Sequence, residues 1–235
     1  CVARFEAAPP ASVAATQPAT PAGYAPPASA AKFISAINLV SAKPFTPGEQ
    51  IKGLKQLRIL ANNVVFLDTD LATDADGSPR AKKIDPCGHL ATAYNIPGQT
   101  GQARFPNAET IPYIVLPGCN KPTKRPKENY LYRRLGLQLG DIAAVIWGDR
   151  IEFALFADVS ANDQIGEGSI ALVESLGFNP WNAAKTQIVS GIPGPGVLTF
   201  VFPGSRIRGI TPQNAAGEIR RRGAELFRSI GGSLP

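Results

Sequence analysis

Between Asp141 and Ala157 the chain carries two apolar runs, 141–147 and 150–157, joined by Gly148-Asp149. Runs rich in Ile, Val, Phe and Trp that meet across two residues read as a β-hairpin, with Gly supplying the positive φ of a tight turn. A hairpin of this length commits the chain to a sheet. The segments 64–67, ending on Asp68, 111–116, closed by Pro117-Gly118, 186–189 and 197–202 read as further strands. Helices are fewer. The segment 169–176 carries Ile170, Val173 and Leu176 at helical spacing and stops at Gly177. A second helix is expected after Thr211-Pro212, an N-cap followed by Pro at the first helical position, with Ile219, Leu226 and Ile230 on one face. The 23 Gly and 22 Pro break the chain too often for a long coiled coil, and no apolar run reaches the 18 residues or so of a membrane-spanning helix. Strands and helices do not alternate as in a doubly wound fold. The expected class is mainly β, a small barrel or sandwich with two or three helices.

The N-terminal stretch is of another kind. Residues 1–31 hold 12 Ala and 6 Pro, which bury little surface and block helices, so they read as a disordered, semi-stiff linker. A single catalytic domain is expected over 32–235. The chain has no Met and starts at Cys1, as after signal removal at a lipobox; Cys1 would then carry a lipid, and the linker would hold the domain off a membrane. The bland alternative is the tail of a secreted protein. Both readings are extracytoplasmic. Cys87 and Cys119 stand 32 positions apart beside turn residues, which fits neither a redox CxxC nor zinc ligation. They are expected to pair as a loop staple, with two buried thiols as the alternative.

Candidate chemistry concentrates where the hairpin's second strand ends. Asp158 follows the apolar run directly, a polar loop follows, and Glu167 stands between Gly166 and Gly168 just before a helix. Two carboxylates nine positions apart, one at a strand end and one at a helix start, suit general acid and base work on a glycosidic bond. Ordinary turn chemistry is the competing reading. The stretch 68–77 resembles a calcium loop but places Ala72 where an EF-hand needs its first ligand. With one His in the chain, no multi-His metal site can form. No metal and no cofactor are expected.

The segment Asp158-Val159-Ser160, with Asp163-Gln164-Ile165-Gly166-Glu167-Gly168-Ser169-Ile170-Ala171-Leu172, resembles the signature of the chitosanases of glycoside hydrolase family 75. Four further pieces resemble that family in the same order. They are Asp74-Ala75-Asp76-Gly77 with Asp85-Pro86, Ile111-Pro112-Tyr113-Ile114-Val115-Leu116-Pro117, Leu139-Gly140-Asp141-Ile142-Ala143-Ala144-Val145, and Val201-Phe202-Pro203-Gly204-Ser205. The resemblance covers roughly residues 60–205. It implies an endo-acting hydrolase that cleaves β-1,4-linked glucosamine polymers with inversion, and its two essential carboxylates match Asp158 and Glu167. Glu167 is expected as the acid and Asp158 as the base, with the reverse order open, because a helix N-terminus would stabilise the Glu167 anion. The fold resembles a six-stranded barrel of the double-psi kind.

Chitosan is a polycation, yet the chain is +6. The excess is local: 121–134 and 206–228 together carry +9, so the rest is −3. Asp74, Asp76, Asp85 and Asp163 are expected to form an acidic, substrate-binding wall, with Tyr94 as a sugar-stacking ring. The basic segments could face an anionic envelope, but they lack the aromatic interleaving of a nucleic-acid surface, so no nucleic-acid partner is expected. Membrane contact is expected only through a lipid at Cys1. Two other readings stand beside the chitosanase: an enzyme on another envelope glycan such as peptidoglycan, and a non-catalytic module that binds glycan or a partner.

Overall fold

The computed structural model describes residues 24–47, 50–118, 130–160 and 164–235. Cys1, Cys119 and Asp163 lie outside them. In chain order the elements are α1 (Ala31–Ile34), β1 (Lys43–Pro44), β2 (Leu54–Ile59), β3 (Val65–Asp74), α2 (Ala81–Ile84), β4 (Tyr113–Pro117), α3 (Leu131–Arg134), β5 (Ile142–Trp147), β6 (Arg150–Ser160), β7 (Glu167–Ser169), α4 (Ile170–Ser175), β8 (Ile192–Phe202) and α5 (Ala215–Ser229). Strand order is β1-β2-β3-β7-β4-β6-β5-β8, and β8 pairs back on β3. Six strands therefore close into a barrel, with β1 and β2 as a flap on β3. Two of its contacts are parallel, β3 with β7 and β4 with β6.

The expected hairpin is present. Trp147 pairs with Arg150, so the turn is Gly148-Asp149, and Gly148 has φ +57°. Side chains alternate across the wall, as a strand's period of two requires. Val65, Leu67, Ile114, Leu116, Ala143, Val145, Ala154, Phe156 and Val201 converge inside the barrel. Phe66, Tyr113, Ile142, Ala144, Phe153 and Phe200 form the other face, under α1 and α5. The helix α5 presents Ala215, Ile219, Gly223 and Phe227, four residues apart, to that face. Phe227 meets Phe153 and Phe200 edge-on, and any side chain at 223 would strike the Phe153 ring. Burying this one stripe is worth several kcal/mol at ~25 cal/mol per Å² of apolar surface.

Three local expectations differ from the structure. The segment 186–189 is a loop, with only Ile188 bridged to Trp181. The last helix begins after Asn214 rather than at Thr211, whose Oγ1 accepts the Asn214 amide in a turn. Packing starts before residue 32: Tyr24 donates its hydroxyl to Asp68 at 2.8 Å, and Ala30 is buried. No described helix is long and apolar enough to cross a membrane.

Candidate active site

A β-bulge aims Asp158. In the β4–β6 ladder Phe156 opposes Ile114 and Asp158 opposes Val115, so Ala157 is the extra residue. Without it, Asp158 would stand opposite Leu116 and face the barrel interior; the bulge turns it to the outer face, beside Val115. The loop 92–94 docks on the irregularity. The Tyr94 amide donates to the Ala157 carbonyl at 2.8 Å, and the Ala93 amide donates to Asp158 Oδ1 at 2.9 Å.

Glu167 reaches the same face from the other side. It opposes Val115 in the antiparallel β4–β7 ladder and Ala72 in the parallel β3–β7 ladder. Residues directly opposite share a face, so Glu167 and Asp158 flank Val115 in one row. Neighbouring strands lie about 4.8 Å apart, which sets the two backbones roughly 9–10 Å from each other. Both glycines around Glu167 are required. Gly166 has φ +84° and its missing Cβ would overlap the Asp70 carbonyl; a Cβ on Gly168 would press on Leu172 and Leu71. The amide of Leu172, in the first turn of α4, is taken by the Oγ of Ser169, the N-cap.

Next to Asp158 stand two further acids. Oxygens of Asp74, Asp76 and Asp158 lie within 4.8 Å of one another. Asp74 closes β3, and its Oδ1 accepts the Asp76 amide at 2.9 Å while Oδ2 accepts the Tyr113 hydroxyl at 3.2 Å. That hydroxyl is also 2.9 Å from the Asp76 carbonyl, and Tyr113 is fully buried. Asp76 Oδ1 accepts the His89 amide at 2.6 Å, and Oδ2 stands 3.3 Å from His89 Nδ1. Asp76 and Asp158 each have a carboxyl oxygen within 4.8 Å of the other's. Asp158 Oδ1 also accepts its neighbour's amide, from Val159, at 2.7 Å. Such spacing is within a cation's reach, but nearly every oxygen already has a hydrogen-bonded partner. We therefore read the trio as a proton-sharing group.

The electrostatics follow. Burial is the largest cause raising the pKa of Asp158, and the charges of Asp74 and Asp76 add to it; the amides of Val159 and Ala93 oppose it. Burial also raises Asp74 and Asp76, reinforced by Asp85 for the first and chiefly by Asp74 for the second. Tyr113 is held neutral by its burial and by the same three carboxylates. Among the described residues, no Lys or Arg forms an ion pair with Asp74, Asp76 or Asp158.

A model of the fungal chitosanases of glycosyl hydrolase group 75 matches residues 71–231, more than half of the chain. The chain belongs to that family. It is a glycoside hydrolase of the chitosanase type, and the match takes in Asp74, Asp76, Asp158 and Glu167. No curated protein matches the chain.

The structure thus brings together Asp74, Asp76 and Asp158, with Asp85 close enough to act on the first two, and sets Glu167 one strand beyond Val115. Asp85 Oδ1 accepts the Cys87 amide, which folds the loop that carries Cys87 and His89. Tyr94 offers no stacking face: it is 2% exposed, packed in the core with Arg206 over its ring. The apolar residues around it draw the ring inward while its backbone serves the bulge. Neither Tyr113 nor His89 was among the site residues expected from the sequence. The tyrosine's signal was its position inside the family-like segment 111–117; that of His89 was its place two residues after Cys87, in the loop of Asp85.

Proposed function

We propose that this chitosanase-type hydrolase is endo-acting, cleaves β-1,4-linked glucosamine polymers with inversion, and uses Asp158 as general acid and Glu167 as general base. The observation that carries this reading is the row in which both flank Val115. Inversion needs carboxyl groups about 6.5–9.5 Å apart, with a water between them, and a two-strand separation is of that size. The role order reverses the one expected from the sequence. Burial, reinforced by the charges of Asp74 and Asp76, raises the Asp158 pKa and favours its protonated form, as a proton donor requires. At the helix N-terminus that follows Glu167, the Leu172 amide is taken by Ser169 Oγ. A site lined by acidic groups, with no Lys or Arg paired to Asp74, Asp76 or Asp158 among the described residues, suits a cationic polymer. Asp85 belongs to this acidic wall, and Asp163 is carried in it as a proposal. A polymeric substrate goes with extracytoplasmic action and with pairing of Cys87 to Cys119.

Reducing ends released from deacetylated chitosan, chitin and peptidoglycan test the reading, with Asp158→Asn and Glu167→Gln beside the parent chain. Cleavage of chitosan, lost in both folded variants, is the expected result. Full activity in either variant would overturn it.

A further inference from the structure

An inverting cycle leaves its acid without a proton, and Asp158 is only 9% exposed. Its route to solvent is visible. Carboxyl oxygens of Asp158 and Asp76 lie within 4.8 Å of each other, and Asp76 Oδ2 stands 3.3 Å from His89 Nδ1. The His89 side chain is 72% exposed, against 18% for Asp76. Burial falls steadily along the row, from reacting acid to bulk water. The histidine backbone is fixed at both ends: its amide donates to Asp76 Oδ1, and its carbonyl accepts the Gly77 amide at 2.9 Å. Gln102 Nε2 ties the Gly77 and Leu90 carbonyls together around it. Such anchoring keeps an otherwise solvent-facing ring at one carboxylate.

We propose that His89 and Asp76 form a proton relay that reloads Asp158 after each cleavage; this rests on Asp158 being the acid. In the chemical step the Asp158 O–H bond breaks, its proton goes to the glycosidic oxygen as the C–O bond opens, and Asp158 is left as carboxylate. The Asp76 carboxyl proton then passes to the neighbouring Asp158 carboxylate, whose oxygen lies within 4.8 Å. The His89 imidazolium gives its Nδ1 proton to Asp76 Oδ2, and the exposed ring takes a replacement from water. The attacking water gives its proton to Glu167 and thence to solvent, so each turnover takes up one proton and releases one. The groups that face the relay are Asp74 and Asp85 toward Asp76, Asp74 and Asp158 toward the ring and its partner, and the neutral Tyr113 hydroxyl on the Asp76 carbonyl. Both relay members act through Asp158 and are positioning residues.

The test is the pH profile of kcat on chitosan for the full chain and for His89→Gln, with and without added imidazole. The glutamine keeps the backbone bonds but does not titrate. The expected result is a kcat about tenfold lower, with KM within about twofold, and recovery with imidazole. An unchanged kcat profile overturns the relay. So does a loss that imidazole leaves untouched or that appears only in KM, because His89 would then act only structurally. Asp158→Asn runs alongside: if that variant stays active, the acid assignment has failed rather than the relay alone.

Discussion

Glu152 and Asp158 sit six positions apart on β6, buried to nearly the same degree, at 6% and 9% exposure. Glu152 is met by the Arg220 guanidinium of α5, with contacts of 3.2 and 2.7 Å to its two oxygens. Its neighbours on that helix are paired as well, Arg221 with Glu218 and Glu225, and Arg222 with Glu225. Three of the six arginines of the C-terminal segment 206–228, Arg220, Arg221 and Arg222, are thus paired within the helix and strand. At the other end of the strand Asp158 meets two more carboxylates. One strand therefore carries a neutralised acid and a crowded one. Burying unpaired like charges disfavours the ionised form. Crowding of this kind destabilises a fold at neutral pH and is found where protonation has work to do.

The largest expected difference lies in activity. Asp158→Asn and Glu167→Gln each lower kcat by about 10²–10⁴-fold, while Glu152→Gln leaves it within about twofold; steady-state rates on chitosan make the comparison. A large loss in Glu152→Gln would erase the distinction between the two ends of β6. Next comes the backbone that presents Glu167. Gly166→Ala must hold alanine at φ +84° against the Asp70 carbonyl, and a loss of about 3 kcal/mol or more in chemical denaturation is expected.

The third contrast is in pH. Unfolded aspartates ionise near pH 4, whereas in the fold Asp74 is pushed up to about 6 and Asp76 to about 8. A raised pKa means that the fold binds the proton more tightly than the unfolded chain. Stability from this source is complete below about pH 4 and is lost as pH rises through the folded values. Thermal unfolding should show a Tm that declines between pH 4 and 8, and Asp76→Asn should flatten the decline and raise Tm at pH 8. A steeper decline in that variant would contradict the account. The smallest effect is at the neutralised end. Arg220→Ala costs about 1 kcal/mol in denaturant unfolding, since its side chain is 60% exposed, and leaves chitosan hydrolysis unchanged.

Much of this architecture was legible in the residues. Apolar runs around Gly148-Asp149 announced the hairpin, and the polar stretch after Ala157 marked where chemistry begins. The bulge was not legible, because Phe153-Ala154-Leu155-Phe156-Ala157 is apolar at every position and carries no period-two signal from which a slip could be read. The strand β7 was hidden for the opposite reason: Gly166-Glu167-Gly168-Ser169 reads as a turn, and only pairing with both β3 and β4 makes it extended. Thr186-Gln187-Ile188-Val189 has the β-propensity of a strand, but only Ile188 is buried. Asp74 and Asp76 were expected on a substrate wall. Their closeness to Asp158 is a product of the fold, since more than eighty residues separate them in the chain.

The role of Asp158 is tested most directly with a chitooligosaccharide whose leaving group is fluoride, which departs without a proton. Asp158→Asn, nearly inactive on chitosan, is expected to hydrolyse the fluoride at a rate near that of the parent chain, whereas Glu167→Gln stays inactive on both. Recovery of Glu167→Gln on the fluoride, with Asp158→Asn still inactive, would contradict this assignment and return the acid's role to Glu167.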